Sequence, residues 1–478
     1  MPTLSLRLAA YCLTVVDLHV RHSMVPRDPD LIVSIQEQFS PVGRRHHKVE
    51  YKAGMEPSHL LHLLLCDLYP AMMRFFSAAS CTLTIANTVL AAPSKYGLNR
   101  TLRFTNNGTF QLAVFNDLHY GEAENLVWGP QQDVNTTRVT NSVLDNEHPQ
   151  LVVLNGDLIT GENTYKHNST DYINETVQPL LERDLLWAST YGNHDSDFNL
   201  SRHHILKREQ TWPNALTRQD ISTPTSGVSN YWLPVYPSLG NTDTPALLLW
   251  FFDSRGGNYY EQTSATTGKS VPQPNWVDQT AVDWFTATRT QLCSQYGRDV
   301  PSLAFVHIPV NAMLAFQQSN NDTGVRPHYE PGINDDDPLA QQGYTEGQGD
   351  VTSGSTPVST YNGEDVPFMQ ALLDTPNLIA VFSGHDHGDD WCFKWDSQLP
   401  GMSLKGNGLD LCFGRHSGYG GYGSWVRGSR QILVTEEMVK DGVVETRVRL
   451  ETGATSGSVV LNGTYGSDYY PAVPDVRE

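Results

Sequence analysis

Positive charge is scarce in this chain. Lys and Arg number 32 against 52 Asp and Glu, a formal net charge of −20. That deficit argues against a nucleic-acid duplex as the main partner, because its phosphates demand a basic surface. It leaves a small phosphorylated substrate open, since a bound metal supplies its own positive charge. Charged residues make up only 18% and hydrophobic ones 39% of the 478 positions, which excludes a disordered chain and allows one large core or two moderate ones. Cysteine is sparse as well: of six, Cys12, Cys66 and Cys81 fall before residue 92, and no spacing suits a structural zinc site. Cys392 and Cys412 flank a Gly-rich loop and could close it as a disulfide in an oxidising compartment, which leaves Cys293 over. No apolar run makes a stable membrane span, and no period marks an internal repeat.

The N-terminal region differs from the rest. Residues 1–72 carry a basic, His-rich mix (His19, His22, His46, His47, His59, His62) without a clear period, and read as an unstructured leader or a gene-model artefact. Residues 73–92 then combine one positive charge, an apolar stretch and a small-residue end, the plan of a secretory signal peptide, with translation starting at Met72 or Met73. Asn99, Asn107, Asn135, Asn168, Asn174, Asn199, Asn321 and Asn462 each begin Asn-x-Ser/Thr, a modest sign of glycosylation. The expected location is secreted, or vacuolar by way of the secretory pathway. The expected folded domain is a single one over 93–478, with a core at about 110–390 and C-terminal β segments over 391–452.

What is present is a series of apolar strands that end in metal-binding residues. Thr109–Asp117 is followed at once by Leu118 and His119, Gln150–Asn155 runs into Gly156 and Asp157, and Leu185–Tyr191 into Gly192, Asn193, His194 and Asp195. Ala246–Phe252 ends at Asp253, Ser302–Val306 at His307, and Leu378–Phe382 at Ser383, Gly384, His385, Asp386 and His387. Helices are expected at 137–146, around 170–182, and from Trp276 to Arg289. This alternation predicts an α/β fold with a mainly parallel sheet and its loops gathered at one edge. Residues 311–364 read as a long functional loop. The segments Trp391–Trp395, Asp410–Phe413, Gln431–Thr435 and Val443–Leu450 pair most simply as antiparallel hairpins, with Gly414–Gly423 a loop.

Two carboxylates, one amide oxygen and four imidazoles (Asp117, Asp157, Asn193, His119, His307, His385, His387) suit a pair of divalent transition metals better than calcium, which wants oxygens alone. Alternate residues of an extended chain face one way, so Asp117/His119 and His385/His387 can each aim both side chains at one site. Asp157, alone on its turn, is the natural bridge between two ions.

In their order, Asp117-Leu118-His119, Gly156-Asp157, Gly192-Asn193-His194-Asp195, His307 and Gly384-His385-Asp386-His387 resemble the motif blocks of the calcineurin-like metallophosphoesterases. Asp253, the Trp276–Phe285 helix and the Cys412–Gly423 tail are similar to a fungal branch set beside the purple acid phosphatases. The resemblance implies a four-layer α/β/β/α double β-sandwich. It implies one metal on Asp117, His119, Asp157 and His387, and another on Asp157, Asn193, His307 and His385. Where true purple acid phosphatases carry an iron-binding tyrosine this chain has Thr160, so a colourless centre of Mn, Fe(II) or Zn is expected.

Two such cations, roughly 3.5–4 Å apart, would clamp the phosphoryl oxygens and generate a bridging hydroxide for in-line attack. His194 is not a ligand in this family. It is expected to assist the leaving group, with Asp195 as its orienting carboxylate or, alternatively, as a helix N-cap. Arg138, Arg255 and Arg415 are expected to be solvated or structural, and His416 and Tyr419 to line the pocket. The leading function is phosphomonoester hydrolysis; a phosphodiesterase acting on nucleotides or lipid headgroups is the alternative, and a non-catalytic metal-binding protein of the same fold the third. The residues fix neither the oligomeric state nor the metal.

Overall fold

The computed structural model describes residues 100–240, 243–319, 324–343 and 361–477, together with four strands between residues 5 and 51. The chain divides into two compact units, Met1–Ala92 and Pro93–Glu478. In the first, β1 (Ser5–Ala9), β2 (Val15–Val20), β3 (Leu31–Gln38) and β4 (Arg44–Tyr51) form an antiparallel meander in chain order. Beneath the His-rich composition lies a period of two, with Leu6 and Leu8, then Leu31, Val33 and Ile35, at alternate positions. The register sets Leu6 opposite Leu18 and Val33 opposite Val49. The candidate signal peptide, 73–92, lies outside the described residues.

The second unit holds two six-stranded sheets. In the first, β5 (Thr109–Phe115), β6 (Leu151–Asn155) and β7 (Trp187–Thr190) run parallel. β16 (Gly428–Thr435), β17 (Val444–Leu450) and β18 (Thr455–Leu461) continue it antiparallel beyond β5, giving the order β18-β17-β16-β5-β6-β7. The second sheet takes β8 (Tyr231–Val235), β9 (Leu247–Phe252), β12 (Ser302–Val306), β13 (Leu378–Ser383), β14 (Cys392–Trp395) and β15 (Leu409–Phe413) in the order β14-β15-β13-β12-β9-β8. Its four inner strands are parallel and both edges antiparallel. A small hairpin, β10 (Asn258–Thr263) with β11 (Ser270–Pro272), stands apart from both sheets.

Strand β9 shows how the layers form. Leu247, Leu249 and Phe251 join the core between the sheets, while Leu248, Trp250 and Phe252 join the core under the helices. A strand covered on both faces reads as an unbroken apolar run because each alternate set has its own dry surface to meet. Helices α1 (Trp128–Asn146), α2 (Asp171–Glu182) and α3 (Arg202–Glu209) cover the first sheet, with Val139, Val143, Val177, Leu180 and Ile205 against Phe115 and Leu154. Helices α4 (Gln279–Tyr296), α5 (Asn311–Gln317) and α6 (Val366–Leu373) cover the second, through Phe285, Met313 and Phe368. The short α7 (Glu436–Lys440) follows β16. The fold is the four-layer double β-sandwich.

Several expectations shift in detail. Both sheets are mixed, and only the second is mainly parallel. The tail segments do form antiparallel neighbours, but β15 also joins β13 in parallel and β16 pairs with β5, setting Arg430 opposite Val114. The loop expected over 311–364 begins with α5, whose Ala312 and Met313 are buried. Helix α4 starts three residues after Trp276, where the Asp278 carboxylate accepts from Thr280 N–H at 3.0 Å. Cys392 and Cys412 are register partners in β14 and β15 and form a disulfide; Cys293 is a free thiol. Among the described residues no helix is long and apolar enough to cross a membrane.

Candidate metal centre

The parallel strands of both sheets end at one place. Asp117, Asp157 and Asn193 follow β5, β6 and β7; His307 follows β12, and His385 and His387 follow β13. Main-chain hydrogen bonds knit these ends together. Leu118 and His119 N–H both donate to Asp157 O, at 2.8 and 3.0 Å, Asp117 N–H to Gly156 O at 3.1 Å, and Gly384 N–H to His307 O at 2.9 Å. Asp117, His119, Asp157 and His385 sit in the left-handed region, at φ 55°, 51°, 52° and 79°. Side-chain-bearing residues persist there only where their surroundings hold them. Gly192 is required by closeness: a Cβ would lie 2.2 Å from Asp157 Oδ1 and 2.6 Å from His307 Cδ2.

The side chains form two groups, Asp117 with His119 and His387, and Asp157 with His307 and His385, each with ligand atoms within 4.8 Å of one another. His119 Nε2 and His387 Nε2 approach to 3.2 Å. Asp157 Oδ2 is 2.9 Å from His307 Nε2 and 3.8 Å from His119 Nε2, so this one oxygen faces both groups. His307 Nδ1 meets Asn155 O at 2.9 Å, which fixes the proton there and frees the Nε2 lone pair. His387 Nδ1 lies 3.1 Å from Tyr422 O, and His119 Nδ1 3.1 Å from Thr160 Oγ1. Among the described residues the buried Asn193 Oδ1 has no hydrogen-bond partner, an acceptor that a cation would satisfy. Seven donors of mixed imidazole, carboxylate and amide character fit two divalent transition metals.

The electrostatics describe a site that wants positive charge. Burial pushes the Asp117 carboxyl up to about 7, with help from neighbouring Asp157. Burial would raise Asp157 too, but His307 and His194 outweigh it and hold it well below the ordinary carboxylate range. His307 is pulled down by burial and lifted more strongly by Asp157, to about 9. Burial, and then neighbouring imidazoles, bring His119 to about 4 and His385 to about 3, so both are neutral donors.

His194 stands at the rim. Its N–H donates to Asp157 Oδ1 at 2.8 Å, and its ring centroid is 4.9 Å from that of His119. The carboxylate that meets its Nδ1 belongs to Glu162, not Asp195. Asp195 turns the other way: Oδ1 accepts from Leu158 and Ile159 N–H at 2.9 and 3.1 Å, and Oδ2 from Gly192 N–H at 2.8 Å. It is no helix cap either, since α3 begins after Ser201. Asp195 is a brace between two ligand-bearing loops. Glu162 carried no motif; the structure sets it on a tight 3-10 turn five residues after Asp157.

Among the remaining candidates, Arg138 pairs with Glu451 at 2.9 Å, Arg415 with Asp390 at 2.8 Å, and Arg255 donates to Trp276 O at 2.8 Å, so none of these interactions involves a ligand. His416 is buried against the His387 ring, at 3.9 Å between centroids, whereas the Tyr419 hydroxyl meets Glu451 at 3.0 Å. Tyr422, which sequence reasoning passed over, stacks on His387 at 4.1 Å.

The model of the calcineurin-like phosphoesterase family matches residues 110–389. The Arabidopsis thaliana protein named "Probable inactive purple acid phosphatase 29" is 27% identical over 364 residues, covering 70% of this chain and 79% of that one. The Saccharomyces cerevisiae protein named "Phosphatase DCR2" is 29% identical over 359 residues, 73% of this chain and 55% of its own length. A dimetal phosphatase from Danio rerio superposes with a TM-score of 0.42 at 13% identity, over 74% of this chain and 98% of that one. A purple acid phosphatase from yellow lupin seeds (Lupinus luteus) gives 0.39 at 9% identity, over 91% and 59%.

Proposed function

Because the chain belongs to the calcineurin-like phosphoesterase family, we propose that it hydrolyses phosphate monoesters with two divalent metal ions held at its strand ends. The observation that carries this reading is the pair of ligand groups meeting across Asp157. Asp117, His119, Asp157 and His387 would hold one ion and Asp157, Asn193, His307 and His385 the other, with Asp157 as the bridge. Bound there, the ions would supply Lewis acidity and charge neutralisation at a phosphoryl group. Mn, Fe(II) and Zn all suit the donors, and Thr160 in place of a tyrosine supports a colourless centre.

The chain's own residues would do the rest. The N–H of His194 fixes Asp157 Oδ1, while Glu162 at Nδ1 leaves Nε2 of that imidazole to deliver a proton to the departing oxygen. The substrate is a small phosphorylated molecule. A diester of a nucleotide or lipid headgroup would use the same groups. The names of the Arabidopsis relatives favour a non-catalytic reading; the complete ligand set together with His194 favours activity. We place the protein in the secretory pathway, a reading supported by the Cys392–Cys412 disulfide and the exposed Asn107 sequon.

The deciding experiment is turnover of an aryl phosphate monoester and the matching diester by the Mn-loaded chain, from acid to neutral pH. Faster monoester turnover is expected. A diester preference would move the substrate class, and no turnover with two ions bound would establish a binding protein.

A further inference from the structure

Arg202, the first residue of α3, belongs to no motif and holds no ligand position, yet it is a cation buried directly behind the centre at 4% exposure. Its Nη2 donates to Gly192 O at 2.6 Å, to Arg255 O at 2.8 Å and to Gly256 O at 3.1 Å. Its Nη1 donates to Gln273 Oε1 at 3.3 Å, and its Nε lies 3.6 Å from Asp253 Oδ1. A buried guanidinium is costly unless its donors are engaged; here both Nη atoms are, while Nε faces the Asp253 carboxylate without a hydrogen bond among the described residues.

The three carbonyls come from two strand-end loops, those after β7 and β9. Gly192 directly precedes Asn193. On the other side, Gly256 and Gly257 press against that asparagine: a Cβ on Gly256 would lie 2.7 Å from Asn193 Cβ, and one on Gly257 2.1 Å from Asn193 O. Arg255, just before them, is itself left-handed, at φ 61°. Asn193 is thus held from both sides by backbone that Arg202 ties together, and its Oδ1 is a buried acceptor of the centre without a hydrogen bond among the described residues.

We infer that Arg202 is a positioning residue for the second ion: its Nη2 fastens the Gly192 carbonyl to the β9 loop, Nη1 anchors the guanidinium on Gln273, and the pair thereby sets the aim of Asn193 Oδ1. Lysine would keep the charge, but its chain is one bond shorter, so its nitrogen stops short of the point from which Nη2 reaches the three carbonyls, and it has no second nitrogen for Gln273.

The inference rests on the two-metal reading, so the wild-type chain is measured beside the variants, by metal titration and elemental analysis. Wild type should bind two ions. Arg202→Lys should keep its circular dichroism and bind one ion normally, with the affinity for the second reduced roughly 10–100-fold. In Arg202→Ala, methylguanidinium should restore the second ion and methylammonium should not. A merely structural role would lower the thermal midpoint and leave both affinities unchanged. Two ions at wild-type affinity on Arg202→Lys overturn the assignment alone; fewer than two on wild type overturn the two-metal reading and the inference with it. If Arg202→Ala does not fold, Arg202→Lys decides, and failure of both to fold makes the role structural and overturns the inference.

Discussion

The carboxylate of Glu162 meets Nδ1 of His194 at the open edge of the ligand set. Burial would raise that carboxyl, but the imidazole outweighs it and holds the group below the usual range. Glu162→Gln keeps the shape and removes the charge. It should lower kcat roughly 10–100-fold with little change in KM, as expected for a group that orients another. His194→Ala should cost roughly 10²–10⁴ in turnover while metal content stays at two. Steady-state kinetics beside metal analysis checks both, and loss of metal from His194→Ala would show that His194 is a ligand.

Asp157 offers one oxygen to both ligand groups. Asp157→Ala should therefore empty both ion positions. Elemental analysis of the purified variant is the check, and retention of one ion at full occupancy would exclude a bridging role.

Metal uptake should depend on pH, with a sign set by the protons that the free site holds. Without metal, His307 keeps its proton up to about 9 and Asp117 up to about 7. Ligands bind metal deprotonated, so cations compete with both protons below pH 7 and with fewer as pH rises. Apparent affinity should climb between pH 6 and 8, and calorimetry in buffers of different ionisation enthalpy should record proton release on binding.

Glu209 provides a control remote from the chemistry. Burial raises its carboxyl from 4.5 to about 7, against opposing hydrogen bonds from Thr217, Ser189 and Tyr191. A folded value above the unfolded one gives stability that is full below pH 4.5 and lost as pH rises through 7. Glu209→Gln should match wild type at pH 4.5 and exceed it at pH 8, by about 3 kcal/mol at most. Thermal midpoints across that range measure the difference.

The residues that the structure gathers into the candidate centre were legible because each sits where an apolar run stops, and a fully buried strand announces its end in its composition. Glu162 was not legible, because its partner is 32 positions away and only the turn after Asp157 brings them together. Asp195 misled for the opposite reason: adjacency to His194 suggested contact, whereas the turn sends its side chain to the amides of Leu158 and Ile159. The pairing of β16 with β5 joins residues more than 300 positions apart, and no local pattern encodes which edge a late strand will choose. Arg202 escaped notice because its partners are carbonyls, which every residue has.

The candidate ligands are shared between two separate sheets: Asp117, Asp157 and Asn193 hang from one, His307, His385 and His387 from the other. Whatever binds them acts as a rivet through the sandwich as well as a reagent. Occupancy then adds to the free energy of unfolding as RT ln(1 + [L]/Kd) for each site. A chelator should loosen the seam between the sheets, and the protein's resistance to heat and proteolysis should follow the free metal concentration around it.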